Sequence, residues 1–222
     1  MDVIPRIRTA RWADKEPVAA LIADAVTPSP LAQWLVPDPA ARRRVLADVA
    51  AIWVEHAMFH GDIQIIDDLS ATAVTFHRYR PIPPPANYQS RLDTAAGTHA
   101  QRFDILDQLL TQQRPTDPHH HLAILAVRPD AQRRGLGAAM LTHHEARLDR
   151  INLPAWTETL PTTQDLYLRH RYLPRPTLTL PDGPTVTVMD RPSRPAREPW
   201  PLNASDSTAA AAPTLAESDT KR

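Results

Sequence analysis

The sequence predicts one α/β domain over residues 1–190, followed by a Pro-, Ala- and Ser-rich tail over 191–222. Three observations carry this reading. Val18, Leu21, Ile22 and Ala25 recur at helical spacing. Ile63, Ile65, Thr72, Val74 and Phe76 alternate with polar neighbours at period two. An unbroken apolar run, Leu122 to Val127, leads into a glycine-bearing turn and a second helical pattern.

Taken in order, Val3 to Thr9 reads as a short strand. Asp14 is expected to cap the first helix, with Pro17 inside its tolerant first turn. Pro28, Pro30, Pro37 and Pro39 then break the chain, and Asp38-Pro39 restarts it as an N-cap with proline at the first helical position. That helix turns Leu46, Val49, Ile52 and Trp53 to one side and should stop near Gly61. Ile63 and Ile65, a turn at Asp67-Asp68, and Thr72, Val74 and Phe76 form a β-hairpin. Pro81, Pro83, Pro84 and Pro85 open a long connection with one helix, from about Thr98 to Gln112. After the strand Leu122 to Val127 come a helix from Gly137 to about Arg150 and a strand at Trp156 to Thr159. A short helix at Thr163 to His170 and a closing strand at Thr185 to Met189 complete the domain. From residue 191 the periodicity stops, and the composition predicts disorder.

Composition narrows the function. Lys plus Arg and Asp plus Glu both number 25, so no net field draws the chain to nucleic acid or to an anionic membrane. There is no cysteine, which excludes disulfides, thiolate catalysis and Cys-based zinc sites. No apolar run approaches the ~20 residues that span a bilayer. The first residues lack the apolar core of a secretory signal, so a cytoplasmic protein is expected. His119, His120 and His121, and His143-His144-Glu145, lack the H-E-x-x-H spacing, and neighbours on a strand point to opposite faces. No metal is expected.

The chemistry concentrates in Leu122 to Gly137, LAILAVRPDAQRRGLG. A buried strand turns at Pro129 into Gln132-Arg133-Arg134-Gly135-Leu136-Gly137, which opens a helix. Gly135 and Gly137 permit close approach of a ligand to the main chain. Amides at a helix start point outward together, with the positive end of the helix dipole behind them, which suits a phosphate. Arg133 and Arg134 could add charge-assisted bonds. The Walker pattern is absent, and Met140 occupies the third glycine position of a Rossmann turn, so ATP and NAD are disfavoured.

This stretch resembles motif A, Q/R-x-x-G-x-G/A, of the GCN5-related N-acetyltransferases. Three more pieces follow in the same order. Thr157-Glu158-Thr159 resembles the family's next strand, and Asp165 to Tyr172 its L-Y-x-R-x-G-F/Y segment. Leu180-Pro181-Asp182-Gly183-Pro184 resembles a loop of bacterial members similar to puromycin N-acetyltransferase. The resemblance covers about Arg6 to Asp190. It implies a mixed central sheet of six to seven strands flanked by helices and splayed where acetyl-CoA binds. The pyrophosphate would lie on the amides of Arg133, Arg134, Gly135, Leu136, Gly137 and Ala138, after Gln132. The pantetheine arm would pair like an added strand with Leu125, Ala126 and Val127. Tyr167 falls on the position that in many members protonates the leaving thiolate, and Thr163 where an Asn often touches the cofactor. Arg171 replaces the usual glycine of a left-handed helix cap.

Two residues compete for the general base. His121 shares a strand face with Ala123, Leu125 and Val127 by strict alternation and matches a histidine of arylalkylamine members. Glu158 lies on the neighbouring strand. The expected activity is direct acetyl transfer to a primary amine of a small molecule, an antibiotic among the candidates, by a monomer or homodimer. The alternatives are a protein lysine or amino-terminal acetyltransferase, and a non-catalytic acyl-CoA-binding module.

Overall fold

A computed structural model describes residues 5–193. Its strands form one eight-stranded, mostly antiparallel sheet, against the six to seven expected. In chain order these are β1 (Ile7–Thr9), β2 (Gly61–Ile66), β3 (Ala71–Arg78), β4 (His119–Val127), β5 (Ala155–Thr159), β6 (Leu173–Pro174), β7 (Leu178–Thr179) and β8 (Thr185–Arg191). Their spatial order is β1-β2-β3-β4-β5-β8-β6, with β7 also on β8. Only β4 and β5 pair in parallel, joined by the crossover helix α6 (Leu136–Ile151). The two extra strands are two-residue pairings, too short for any periodicity to announce.

One face carries α1 (Lys15–Val26), α2 (Pro30–Leu35), α3 (Pro39–His60), α4 (Tyr88–Ala96) and α5 (Ala100–Gln113). The other carries α6 and α7 (Gln164–Arg169). Helix α3 begins as its sequence dictates, the Asp38 carboxylate accepting from the Ala40 amide at 3.0 Å ahead of Pro39, and it ends at Gly61. Two helices were not foreseen. Helix α2 starts at the proline that looked like a breaker, because Ser29 caps it, and α4 occupies the connection after Pro85. Asp14 does not cap α1 through its side chain. Its carboxylate instead accepts from the Arg11 amide at 2.6 Å and the Arg8 guanidinium at 2.7 Å, closing the 3-10 turn before α1.

The closing strand runs two residues past the expected Met189. Arg191, read as the start of the tail because periodicity stops there, is 1% exposed and pairs with Asp149 of α6 at 2.5 Å. The rest of the proposed tail, 194–222, lies outside the described residues. The loop after β7 reaches the opposite end of the chain. The Trp34 indole donates to the Pro181 carbonyl at 2.9 Å, and a Cβ at Gly183 would come within 2.6 Å of that ring.

Helix α7 ends in a left-handed cap at Arg171, with φ of 63°. The Arg171 amide donates to Leu168 and the Tyr172 amide to Tyr167, both at 3.1 Å, a Schellman pattern. The conformation costs a side-chain-bearing residue about 1–2 kcal/mol. Arg171→Gly relieves this and loses only a half-exposed 3.6 Å pair with Asp149. We expect it to raise stability by about 1 kcal/mol in urea unfolding, after the entropic cost of glycine.

Candidate active site

Strand β4 pairs with β3 along its whole length but with β5 only from His120↔Ala155 to Leu122↔Thr157. Beyond Leu122 the two strands separate, and β5 continues against β8 alone to Thr159. Burial changes at the same point: His119 to Leu122 are buried, Ala123 to Leu125 half-buried. A wedge-shaped gap therefore opens in the middle of the sheet.

A bulge stands at the head of this gap. Val74 pairs with Ile124 and Thr75 with Leu122, so β4 carries one extra residue, Ala123. The alternation flips there, and the expectation that His121 shares a face with Leu125 and Val127 is overturned. His121 lies opposite Phe76 on the α1–α3 face, with Ile124 and Ala126, while Leu125 and Val127 pack on the α6 side.

On the α1–α3 face, the two rival bases are partners. His121 Nε2 lies 2.7 Å from Glu158 Oε2, and the Trp156 indole donates to Glu158 Oε1 at 2.8 Å. Both side chains are sealed, 7% and 8% exposed. Burial alone pushes the Glu158 carboxyl up, but His121, Trp156 and the nearby Arg114 outweigh it and hold the group below its ordinary range. With the Nε2 proton given to Glu158, a neutral imidazole keeps its lone pair on Nδ1, which is buried without a partner. The Arg78 guanidinium also flanks Glu158 and sits over the Phe76 ring. Neither Trp156 nor these arginines was singled out from the sequence. The signal was there for Trp156, two residues before Glu158 and so on the same strand face.

Tyr167, a residue of α7, faces the other side of the sheet and is buried at 5% exposure. Its hydroxyl is pushed up to about 12, first by burial, with Thr157 and Thr159 pulling it back. The Thr159 and Thr163 hydroxyls pair at 2.7 Å, and the Thr157 hydroxyl donates to the Leu122 carbonyl at 2.8 Å. Thr163 thus stands at the start of α7, on the rim of the Tyr167 site.

The predicted turn closes the wide end of the gap. Gln132 Nε2 donates to the Val127 carbonyl at 3.1 Å, while Arg133 and Gly135 take left-handed conformations, φ 64° and 80°. Ala139 donates the helical bond back to Gly135, so the amides of Leu136, Gly137 and Ala138 precede the ladder. Arg133 and Arg134 are exposed beside them. A Cβ at Gly137 would lie 3.2 Å from Leu166, so glycine lets the head of α6 approach α7. The turn presents a cradle of main-chain donors and cations, which suits a pyrophosphate.

The acids of α4 and α5 that could face a cationic acceptor are engaged with neighbouring side chains. Asp107 accepts from the Tyr88 hydroxyl and is pushed up to about 6, chiefly by burial. Gln89 reaches both Asp93 and Asp104, at 3.2 and 3.3 Å. Among the described residues no group of three His, Asp or Glu is placed to hold a metal ion, and no helix is long and apolar enough to cross a membrane.

Residues 96–171, which contain β4, the turn, α6, β5 and α7, match the model of the acetyltransferase (GNAT) family. The chain has the GNAT fold. Solved structures agree on the fold. A histone acetyltransferase HPA2 and related acetyltransferase from Corynebacterium glutamicum is 23% identical, covering 87% of this chain and 99% of its own, with a TM-score of 0.65. Arylalkylamine N-acetyltransferase 2 from Aedes aegypti is 15% identical over 84% of this chain and 98% of its own, with a TM-score of 0.52. A GCN5-related N-acetyltransferase from Rhodopseudomonas palustris is 13% identical over 85% and 95%, with a TM-score of 0.51.

Proposed function

We propose that this protein is an acetyltransferase that moves the acetyl group of acetyl-CoA directly to a primary amine of a small molecule. The observation that carries the reading is a gap in the sheet with a His–Glu pair on one face and a protonated tyrosine on the other. The turn fits the donor. Amides of Arg133 to Ala138 would take the pyrophosphate, and the edge of β4 at Leu125 to Val127, unpaired by β5, would run beside the pantetheine arm. Thr163 would line that arm near its sulfur end.

An alkylammonium with pKa ~10.4 must first lose a proton, which at pH 7 costs roughly 4 to 5 kcal/mol at 1.36 kcal/mol per unit. His121 Nδ1 takes that proton, directly or through a water, and Glu158 stabilises the imidazolium. The amine nitrogen attacks the thioester carbon, the C–N bond forms, and the oxygen is met by a main-chain amide near the Ala123 bulge. The C–S bond then breaks, and Tyr167 gives its proton to the sulfur. With no cysteine in the chain, no acyl-enzyme on sulfur is available, in keeping with direct transfer.

The pair is sealed from solvent on the face that α1 and α3 cover, which favours a small acceptor over a protein segment. Cytoplasmic acetyl-CoA would supply the donor. The test is thiol release from acetyl-CoA against aminonucleosides, arylalkylamines, polyamines and lysine peptides. Turnover with one small amine supports the reading. Turnover with peptides alone moves it to protein acetylation, and silence across the panel with tight CoA binding leaves a binding module.

A further inference from the structure

On the α6 side of the sheet, behind the dyad, a cavity of about 250 Å3 opens between α6 and strands β2 to β4. It unites histidines from distant parts of the chain. The rings of His120 on β4 and His144 on α6 are 5.4 Å apart, and His77 on β3 lies 4.7 Å from His120. His120 is 1% exposed with neither ring nitrogen hydrogen-bonded, and His144 is 6% exposed with Nε2 unpartnered. Buried polar atoms are almost always paired, so these nitrogens call for a hydrogen-bonding occupant.

The wall also sets the charge of that occupant. Arg147 and Arg150 line it from α6. Asp62, the acid of the wall, is already held by His77 at 2.7 Å and by Arg147. Burial first, then cationic neighbours including Arg147, lower His120 to about 3 and His144 to about 4, so both rings are neutral at pH 7 in a field that favours an anion.

We propose that this cavity binds a phosphoryl group, as inorganic phosphate or a small phosphate monoester. A neutral imidazole presents one N–H and one lone pair. A phosphate with second pKa ≈ 6 retains some P–OH beside its anionic oxygens near neutrality, so it answers both, whereas a carboxylate answers only the donor. The guanidinium of Arg150, with that of Arg147, supplies the charge-assisted bonds. The site stands back to back with the dyad, since His120 and His121 are consecutive on β4 and point to opposite faces.

The test follows the imidazole nitrogens of the full chain by NMR during titration with inorganic phosphate, with malonate as a second probe. Phosphate should shift the His120 and His144 rings saturably. Arg150→Ala, on the exposed end of the wall, and His144→Gln should each weaken that binding at least tenfold. Arg134→Ala, which removes charge from the glycine turn instead, should leave it unchanged. The proposal is overturned if neither ring shifts up to tens of millimolar, a cavity that holds only water. It is also overturned if Arg134→Ala abolishes the binding, or if malonate moves the rings as strongly as phosphate.

Discussion

Tyr167→Phe is expected to lower kcat for acetyl transfer by about 10²- to 10³-fold, the range of a lost general acid, while KM for acetyl-CoA changes little. The hydroxyl is the only group removed, and the ring keeps its place on the buried side of α7, edge-on to Tyr172 at 5.5 Å. Because burial pushes the phenol up to about 12, it stays protonated at every practical pH. The wild-type rate should therefore show no alkaline decline from this group below that value. Steady-state kinetics with single-turnover measurement separate the effect from binding. An unchanged single-turnover rate would remove Tyr167 from the chemistry.

Glu158→Gln should be at least as damaging, with kcat down by about 10²- to 10⁴-fold. The substitution is nearly isosteric, but an amide can donate to His121 Nε2, where the carboxylate can only accept. That donation fixes the ring proton on Nδ1 and removes the lone pair that takes the proton of the amine. His121→Ala should cost about the same, and the double variant no more than either alone, because the two residues act as one unit. Independent, multiplying losses would separate them. Glu158 is also linked to stability. Its carboxyl is held below its ordinary value, so its contribution is complete above the unfolded pKa of ~4.3. It is lost as pH falls through the lower, folded value. Acid unfolding of Glu158→Gln should accordingly be the shallower at that end.

Much of the fold follows from local rules. The Asp38-Pro39 start, the hairpin turn at Asp67-Asp68 and the glycine turn after Val127 each state a backbone geometry in two or three residues. The same is true of Tyr167, placed by motif spacing on a helix that the structure brings under β5. What escaped depends on pairing across the sheet. The bulge at Ala123 has no glycine or proline to mark it, yet it decides which face His121 occupies. His121 and Glu158 looked like competitors because the sequence cannot show that β4 and β5 run parallel at Leu122 and put both side chains on one surface. His120 and His144 likewise meet only because α6 crosses behind β4. Arg191 reads as tail from sequence alone because its partner, Asp149, is on an element far along the chain.

The hydrogen bond from Trp34 to Pro181 spans 147 residues, and β5 gains its second neighbour only when β8 is in place. On the ribosome, α1 to α5 and the first strands emerge well before that strand does. Until β8 has left the exit tunnel, Glu158 has no stable strand to stand on, and the indole of Trp34 has no carbonyl to meet. The proposed reaction centre is thus among the last parts of this chain to become native during synthesis. A released chain ending at residue 170 would present an open β5 edge to chaperones.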